Sequence, residues 1–530
     1  MQYLRKLLNP TPQTEPLAGQ LRNSAGGYSY PVDDWARLRR FLILGSEGGS
    51  YYASERALTR ENALAVARCI AEDGARAVAE IVAVSVAGRA PKNDPALFAL
   101  ALAAAAPEFS VRRAALAALP RVARTGTHLL HFAAYAEQLR GWGRGLRRAV
   151  GAWFLEQPAE RLVLQAIKYR QRDGWAMRDL LRLAHPRAGD ERRDAVLHWI
   201  VKGWPAVGDE PHPDPVLRQL WAFERLQRAE SAAEAARLIA EHDLPREAVP
   251  TQHLQSAEVW AALLERMPME AMVRNLATMT RVGLLAPLSA AAATVADRLR
   301  DGQAIKRARL HPVKVLAALM TYAAGKGQRG DTTWTPVPAL VDALNDSFEL
   351  AFGAVEPAGT RHLLALDVSG SMGCGTIAGV PGLTPRVGAA AMSLVTARTE
   401  PAVHALAFSH KLEPLKLTAR QRLDDVVRLT SGLPFGGTDC ALPMLWALEQ
   451  QVPVDTFVVY TDNETWFGNV HPAEALRRYR ERMGIAAKLM VVGMLANRFS
   501  IADPDDGGML DVVGFDTAAP QVMRDFSAAA

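Results

Sequence analysis

The chain has 530 residues, more than one hydrophobic core usually supports, so two or more domains are expected. Hydrophobic residues make up 49% and charged residues 22%, an ordinary globular composition in which disorder is not the default. The net charge is a modest +5, and three scattered cysteines, Cys69, Cys374 and Cys440, are too few for a disulfide framework or a zinc site.

The positive charge is unevenly placed. From Arg121 to Arg187 there are 13 Arg or Lys against 5 Asp or Glu, so the remaining chain sums to −3. Such asymmetry is a reason to look for a polyanionic partner. Arg outnumbers Lys by 51 to 10, which suits planar, bidentate phosphate contacts and equally fits a GC-rich bacterial gene. Met1 to Leu8 lack the apolar core of a signal peptide and no apolar run approaches a membrane span, so a cytoplasmic protein with no membrane partner is expected.

From about Trp35 to Leu350 apolar residues recur at three and four, with breaks at Gly, Pro or Asp. Amphipathic helices are predicted over Asn62 to Ala71, Ala75 to Val86, Pro95 to Ala105, Val111 to Leu119, Leu129 to Leu139, Leu146 to Leu155 and Glu160 to Tyr169. More follow over Leu217 to His242, Gln255 to Met267, Met269 to Thr278, Leu288 to Asp301 and Pro312 to Ala324. Helices on short links, with no strand signal across roughly 300 residues, point to an α-solenoid of stacked helix pairs without a fixed period. The pattern changes at Ala354 to Thr360, and strand-like runs then alternate with helices: Leu363 to Leu366, Val403 to Phe408, Thr456 to Tyr460, Leu489 to Met494 and Val512 to Phe515. That alternation means βαβ units and a parallel sheet. The division falls between residues 1–355, helical, and 356–530, α/β.

Four stretches carry the chemistry. In the helical part, Lys168, Arg170 and Arg172 interleave with Tyr169 and Gln171, and His185 follows about one helix later. Cations interleaved with an aromatic and an amide suit phosphate contacts and base stacking, whereas a solvated helix face is the bland reading. Arg140, Arg144, Arg147 and Arg148 form a second basic cluster, where Gly141, Gly143 and Gly145 are expected to break the helix and let an RNA backbone approach. Ser46-Glu-Gly-Gly-Ser50 follows no strand and precedes no Gly-Lys-Ser, so it reads as a tight turn rather than a phosphate loop.

The fourth stretch is Leu363 to Leu366, a continuous apolar run that stops at Asp367-Val-Ser-Gly-Ser371. In open α/β sheets ligands sit beyond the carboxyl ends of such strands. The alternation aims Asp367, Ser369 and Ser371 at one point, and hard oxygen ligands of low total charge suit Mg²⁺ or another divalent cation. Gly436-Gly437-Thr438-Asp439 and Tyr460-Thr461-Asp462-Asn463 add two further loops, the second again ending a strand-like run. The three loops resemble the metal-ion-dependent adhesion site of von Willebrand factor A domains. Ser369 and Ser371 would ligate directly, and Asp367, Thr438 and Asp462 directly or through water.

Ser46 to Tyr52 after Leu38 to Leu42, Ile167 to Trp175, Asp179 to His185 and Lys202-Gly-Trp204 resemble the TROVE module of the Ro ribonucleoprotein autoantigen family, and the likeness continues through Gly437 to Cys440 and Thr461 to Thr465. The resemblance implies a bacterial Ro orthologue: an all-α, HEAT-like helical-repeat ring followed by an α/β doubly wound, Rossmann-like von Willebrand A domain. It also implies binding of small Y RNAs and of single-stranded ends of misfolded or immature structured RNAs, with Lys168, Arg172 and His185 on the RNA-binding face. A monomer that cooperates with an exoribonuclease is expected. Hydrolysis by the chain itself is not, because two-metal nucleases cluster several carboxylates to hold ions about 4 Å apart. The rival reading is a metal-dependent protein-interaction scaffold without RNA affinity.

Overall fold

The computed structural model describes residues 10–45, 55–204, 210–327, 331–353, 356–380, 382–433 and 436–529. The Ser46 to Tyr52 stretch lies outside them. Among the described residues, eighteen α-helices run from Asp34–Leu44 to Pro338–Leu350. Many begin where a side chain accepts from a free backbone N–H of the first turn: Asp33, Asp73, Thr125, Asp190, Ser231, Ser256 and Ser289 each do so. Helices Asp34–Leu44, Met177–Ala184, Glu191–Lys202, Gly302–Ala308 and Pro338–Leu350 add to those individually expected; Gly302–Ala308 is short and Glu191–Lys202 is charge-rich, so little pattern shows there. Glu191–Lys202, for instance, buries only Val196, Leu197 and Trp199.

Two departures from expectation concern the basic stretches. The helical part is not free of strands: β3 (Gln171–Arg172) and β4 (Trp175–Ala176) form a two-residue hairpin, in which Arg172 pairs with Trp175. Gly145 does not break a helix either, because Gly143 caps a helix that begins at Arg144 and runs to Glu156. Leu116 is the close neighbour that keeps Gly145 small, 3.1 Å from where its Cβ would sit.

The helices close into a ring. Arg309, which caps helix Gly302–Ala308, and His311, which caps helix Pro312–Ala323, reach back to the end of helix Gly74–Ala87 and the loop after it: Arg309 donates to the Val86 carbonyl and His311 Nε2 donates to the Arg89 carbonyl at 2.9 Å. The second domain seals that seam, since Arg89 Nε donates to Asp516 Oδ1 at 2.9 Å.

That domain is a six-stranded sheet in the order β11 (Met509–Val513), β9 (Lys488–Gly493), β8 (Thr456–Thr461), β5 (Arg361–Asp367), β6 (Ala402–Phe408), β7 (Leu412–Pro414). All pairings are parallel except the edge pair β6–β7. Successive residues of β5 serve opposite faces: Leu364 and Leu366 join the core shared with the helical ring, Leu363 and Ala365 a second core on the other side. Burial on both faces is why the strand reads as an unbroken apolar run.

The start of the chain belongs to this domain's packing. β1 (Leu21–Arg22) pairs with β2 (Tyr28–Pro31), and β2 pairs with β10 (Phe499–Ser500). Arg40, 2% exposed, crosses from the first helix to the Asn497 and Phe499 carbonyls and to Asp511, so a buried cation is fully partnered across the junction. On the far side Arg422 pairs with Asp342 and Arg398 with Glu349 of the last ring helix.

Candidate metal centre and nucleic-acid face

At the carboxyl end of β5, the Asp367 Oδ1 accepts from the Ser369 backbone N–H at 2.9 Å, while Oδ2 accepts from the Thr461 hydroxyl at 2.7 Å. This pins the carboxylate between the first and third loops. Ser369 and Ser371 hydroxyls lie 3.0 Å apart, and Arg386, from helix Pro385–Thr399, donates to the Val368 and Ser369 carbonyls at 3.0 Å each, fixing the turn from behind. The long segment between Ser371 and that helix folds back into the core, with Met372 and Ile377 fully buried. Asp367, Ser369, Ser371, Thr438 and Asp462 are all at most 2% exposed.

Two of these five leave a buried oxygen without a partner: Thr438 Oγ1 and Asp462 Oδ2. Asp462 Oδ1 accepts from the Glu464 N–H at 3.1 Å. Burial, with the nearby Asp462 charge, pushes the Asp367 carboxyl up, and burial does the same to Asp462. Orphaned oxygens, paired hydroxyls and two carboxylates that burial disfavours as anions are the donor set a hard divalent cation satisfies. Among the described residues no three of His, Cys, Asp or Glu converge as ligands, so the hydroxyls are needed to complete such a set.

Periodicity missed the residues that hold these loops. Gln13, fully buried, donates from Nε2 to Asp439 Oδ1 at 2.6 Å and to the Val470 carbonyl at 2.8 Å, and its Oε1 accepts from Thr465. Asn23 donates to the Thr465 carbonyl at 2.6 Å, and the Ala25 N–H to Glu464 at 3.1 Å. Gly27 permits this approach, because a Cβ there would sit 2.2 Å from the Thr465 carbonyl oxygen. Burial raises the Asp439 carboxyl to about 7, and burial with the Asp462 charge raises Glu464 to about 7.

In the ring, Lys168 ends helix Ala159–Lys168, and its Nζ lies 3.9 Å from Glu247 and 5.5 Å from the Tyr169 ring centroid. At 3.9 Å and without a hydrogen bond between them this partly covered pair is a loose one, contributing on the order of 1 kcal/mol, little enough to be exchanged for a phosphate. Arg172 is exposed on the β3–β4 hairpin and Arg170 just before it, 5.5 Å from the Phe223 ring centroid, neither on a helix face, and Asp173 at the hairpin tip pairs with His131. His185 is exposed where helix Met177–Ala184 ends, in the left-handed region at φ 45°. Eight helical residues, roughly 12 Å of rise, separate it from the hairpin. Arg144, Arg147 and Arg148 are exposed along the first turns of helix Arg144–Glu156, with no ion-pair partner among the described residues.

No helix among the described residues is long and apolar enough to cross a membrane. The chain matches the TROVE domain over residues 21–208 and 215–320 and the Ro60 vWA domain over residues 361–527. It is 50% identical to the RNA-binding protein RO60 of Deinococcus radiodurans over 532 residues, covering 99% of each chain. It is 36% identical to the RNA-binding protein RO60 of Caenorhabditis elegans over 582 residues, covering 96% of this chain and 90% of that one. The crystal structure of the Deinococcus radiodurans RO (RSR) protein is similar, with 49% identity, a TM-score of 0.72, and coverage of 94% of this chain and 99% of that one. Matched in both domains, in this order, and from end to end by its relatives, this chain belongs to the Ro family, a TROVE ring joined to a von Willebrand factor A domain.

Proposed function

We propose that this chain is a non-catalytic RNA-binding protein whose ring holds small Y RNAs and the single-stranded 3′ ends of misfolded or immature noncoding RNAs, in their quality control or maturation. The observation that carries the reading is the set of exposed cations on the ring, Arg172 on the hairpin and Arg170 just before it with His185 one helix on, in a chain 50% identical to a protein named for RNA binding. Lys168, Arg170 and Arg172 contact phosphates, His185 lies on the same face, and Arg144, Arg147 and Arg148 extend it. The protein acts as a cytoplasmic monomer and hands its RNA to an exoribonuclease.

Mg²⁺ or another divalent cation belongs to Asp367, Ser369, Ser371, Thr438 and Asp462. There it would neutralise the two carboxylates and would supply a Lewis-acidic position for a partner's carboxylate. In this reading the residues hold the ion rather than hydrolyse RNA, since two-metal hydrolytic centres cluster several carboxylates.

A ring of helices packed about 10 Å apart admits a single strand far more readily than a duplex of roughly 20 Å. Gel-shift titrations of one hairpin RNA with and without a single-stranded 3′ tail, at a single stated salt concentration, test the reading. Tighter binding of the tailed form is expected, and a Y-like hairpin competes with it. Equal affinities would leave only surface electrostatics, and no binding of either would leave the protein-interaction scaffold.

A further inference from the structure

On the outer side of the Gly-rich loop after helix Gly126–Leu139 lies a cleft of about 690 Å³. That is within the roughly 300–1,000 Å³ of small-ligand sites. Its apolar lining is made by Ala101, Ala104 and Ala105 of helix Asp94–Ala105 and by Leu116, Leu146 and Ala149. Its rim is mainly arginine: Arg113, Arg140, Arg144 and Arg148 are all exposed and none has a carboxylate partner among the described residues, Arg112 lies 5.7 Å from the Phe109 ring centroid, and Glu156 is the one carboxylate on the lining. Phe109 stands at one end, 68% exposed. An exposed aromatic, an apolar lining and a rim of unpaired guanidinium groups are three different surfaces, and an unpaired nucleotide presents the complement of each.

The cleft is also joined to the cations already described. Trp142, in the same loop, packs against Trp175 of the β3–β4 hairpin with ring centroids 5.2 Å apart and planes tilted by 46°. Arg172 pairs with Trp175 in that hairpin, so the two basic clusters meet through one aromatic contact. Gly141, at φ +77°, and Gly143 have no atom within 4 Å of where a Cβ would lie, which leaves the loop backbone open to a close approach.

We infer that this cleft is a nucleotide subsite that takes one or two unpaired bases of an RNA whose backbone continues over Trp142 and Trp175 to Arg172. Phe109 stacks on a base, the alanine lining excludes water beside it, and Arg113, Arg140, Arg144 and Arg148 hold the flanking phosphates. The inference rests on the RNA-binding reading above and adds to it a selection for unpaired over paired RNA that is separate from the ring's hole. An acidic protein helix would find the same charge, but the open backbone at Gly141 and Gly143 lets a phosphodiester approach closely, which favours RNA.

The test is fluorescence anisotropy of the full chain with a labelled oligouridylate and with a blunt RNA duplex of the same length, at one stated salt concentration. Phe109→Ala is expected to weaken oligouridylate binding about five-fold or more, the effect of removing one base–aromatic stack, and to leave duplex binding unchanged. Phe109→Trp is expected to restore it, and because the residue is exposed neither variant disturbs the core. Arg113→Glu with Arg144→Glu is expected to weaken both ligands. Unchanged oligouridylate affinity in Phe109→Ala, in a preparation where Lys168→Ala with Arg172→Ala still weakens binding, overturns the subsite and leaves the RNA-binding reading standing. Equal losses on oligouridylate and duplex also overturn it, because the cleft is then not reading unpaired bases. Absence of RNA binding by the unaltered protein removes the RNA-binding reading and this inference with it.

Discussion

Gln13 Nε2 donates to Asp439 Oδ1 at 2.6 Å across 426 residues of sequence, tying the start of the chain to the second loop of the candidate metal centre. Its amide also serves the Val470 carbonyl and the Thr465 hydroxyl, so every polar atom of a fully buried side chain is used. Gln13→Ala would take the only side-chain donor from the buried Val470 carbonyl and one partner each from Asp439 Oδ1, which keeps the Ala441 N–H, and from the Thr465 hydroxyl, which keeps the Thr438 carbonyl; a buried group left unpaired costs about 1–3 kcal/mol. A loss on the order of 2 kcal/mol or more is expected, read as a lower urea midpoint for the full chain. A midpoint equal to the unaltered protein's would mean that the segment merely lies on the domain.

The ring seam carries a pH dependence. His311 is buried at the contact that closes the ring, where Nδ1 accepts from the Val313 N–H at 3.2 Å and Nε2 donates to the Arg89 carbonyl at 2.9 Å, an arrangement that needs the neutral ring. Burial lowers its pKa from 6.5 to about 4, with Lys314 lowering it further and the Arg89 carbonyl, Asp516 and the Phe515 backbone opposing. The unfolded chain takes up this proton near 6.5 and the folded chain near 4. Stability is therefore lost as pH falls through that window and levels off below it, by about 3 kcal/mol in all. His311→Gln keeps an N–H donor without a titrating group. The difference in urea midpoint between pH 7 and pH 5 is expected to shrink in that variant, and an unchanged difference would show that His311 is not held neutral.

Strand β5 was legible because both of its faces are buried, so Leu363 to Leu366 form an apolar run that ends at a carboxylate. The hairpin at Gln171 to Ala176 was not, since two-residue strands have no period to read. Its available signal was the Asp173-Gly174 pair, whose φ values of 50° and 79° suit a type I′ turn. Arg40 shows a different limit. On a helical pattern it reads as solvent-facing, and only the approach of the Asn497 and Phe499 carbonyls and Asp511 explains a cation 2% exposed. Gln13 holds the second loop at Asp439 and Asn23 the third at Thr465, each from over 400 residues away in sequence, a separation no local pattern encodes. The side chains proposed as ligands could be picked out because strand ends and turn residues mark them; the groups that position those ligands could not.

The metal assignment separates from the RNA assignment by domain. Asp367 is held by Ser369 and Thr461 at the end of β5, away from the hairpin cations. Asp367→Ala removes one of the two carboxylates from a site that needs their charge, and it is expected to abolish the heat of Mg²⁺ or Mn²⁺ binding in calorimetry while RNA affinity stays nearly unchanged. Metal uptake equal to that of the unaltered protein would remove Asp367 from the ligand set.

Lys168 and Arg172 differ in what binding asks of them. Arg172 is exposed at the hairpin and already free to meet a phosphate, whereas Lys168 lies 3.9 Å from Glu247 and must exchange that partner. Each phosphate that a cation neutralises releases condensed counterions, so the slope of log affinity against log salt changes by about 0.7 to 0.9 for every phosphate no longer neutralised. Changing both residues to Ala is expected to weaken RNA binding and to make that slope shallower by about one to two, and Arg172→Ala alone to account for at least half of the change. Titrations at four salt concentrations measure it. A slope that does not move would mean that these side chains face solvent in the complex as they do in the free protein, and that the arginines of the helix Arg144–Glu156 carry the electrostatic attraction instead.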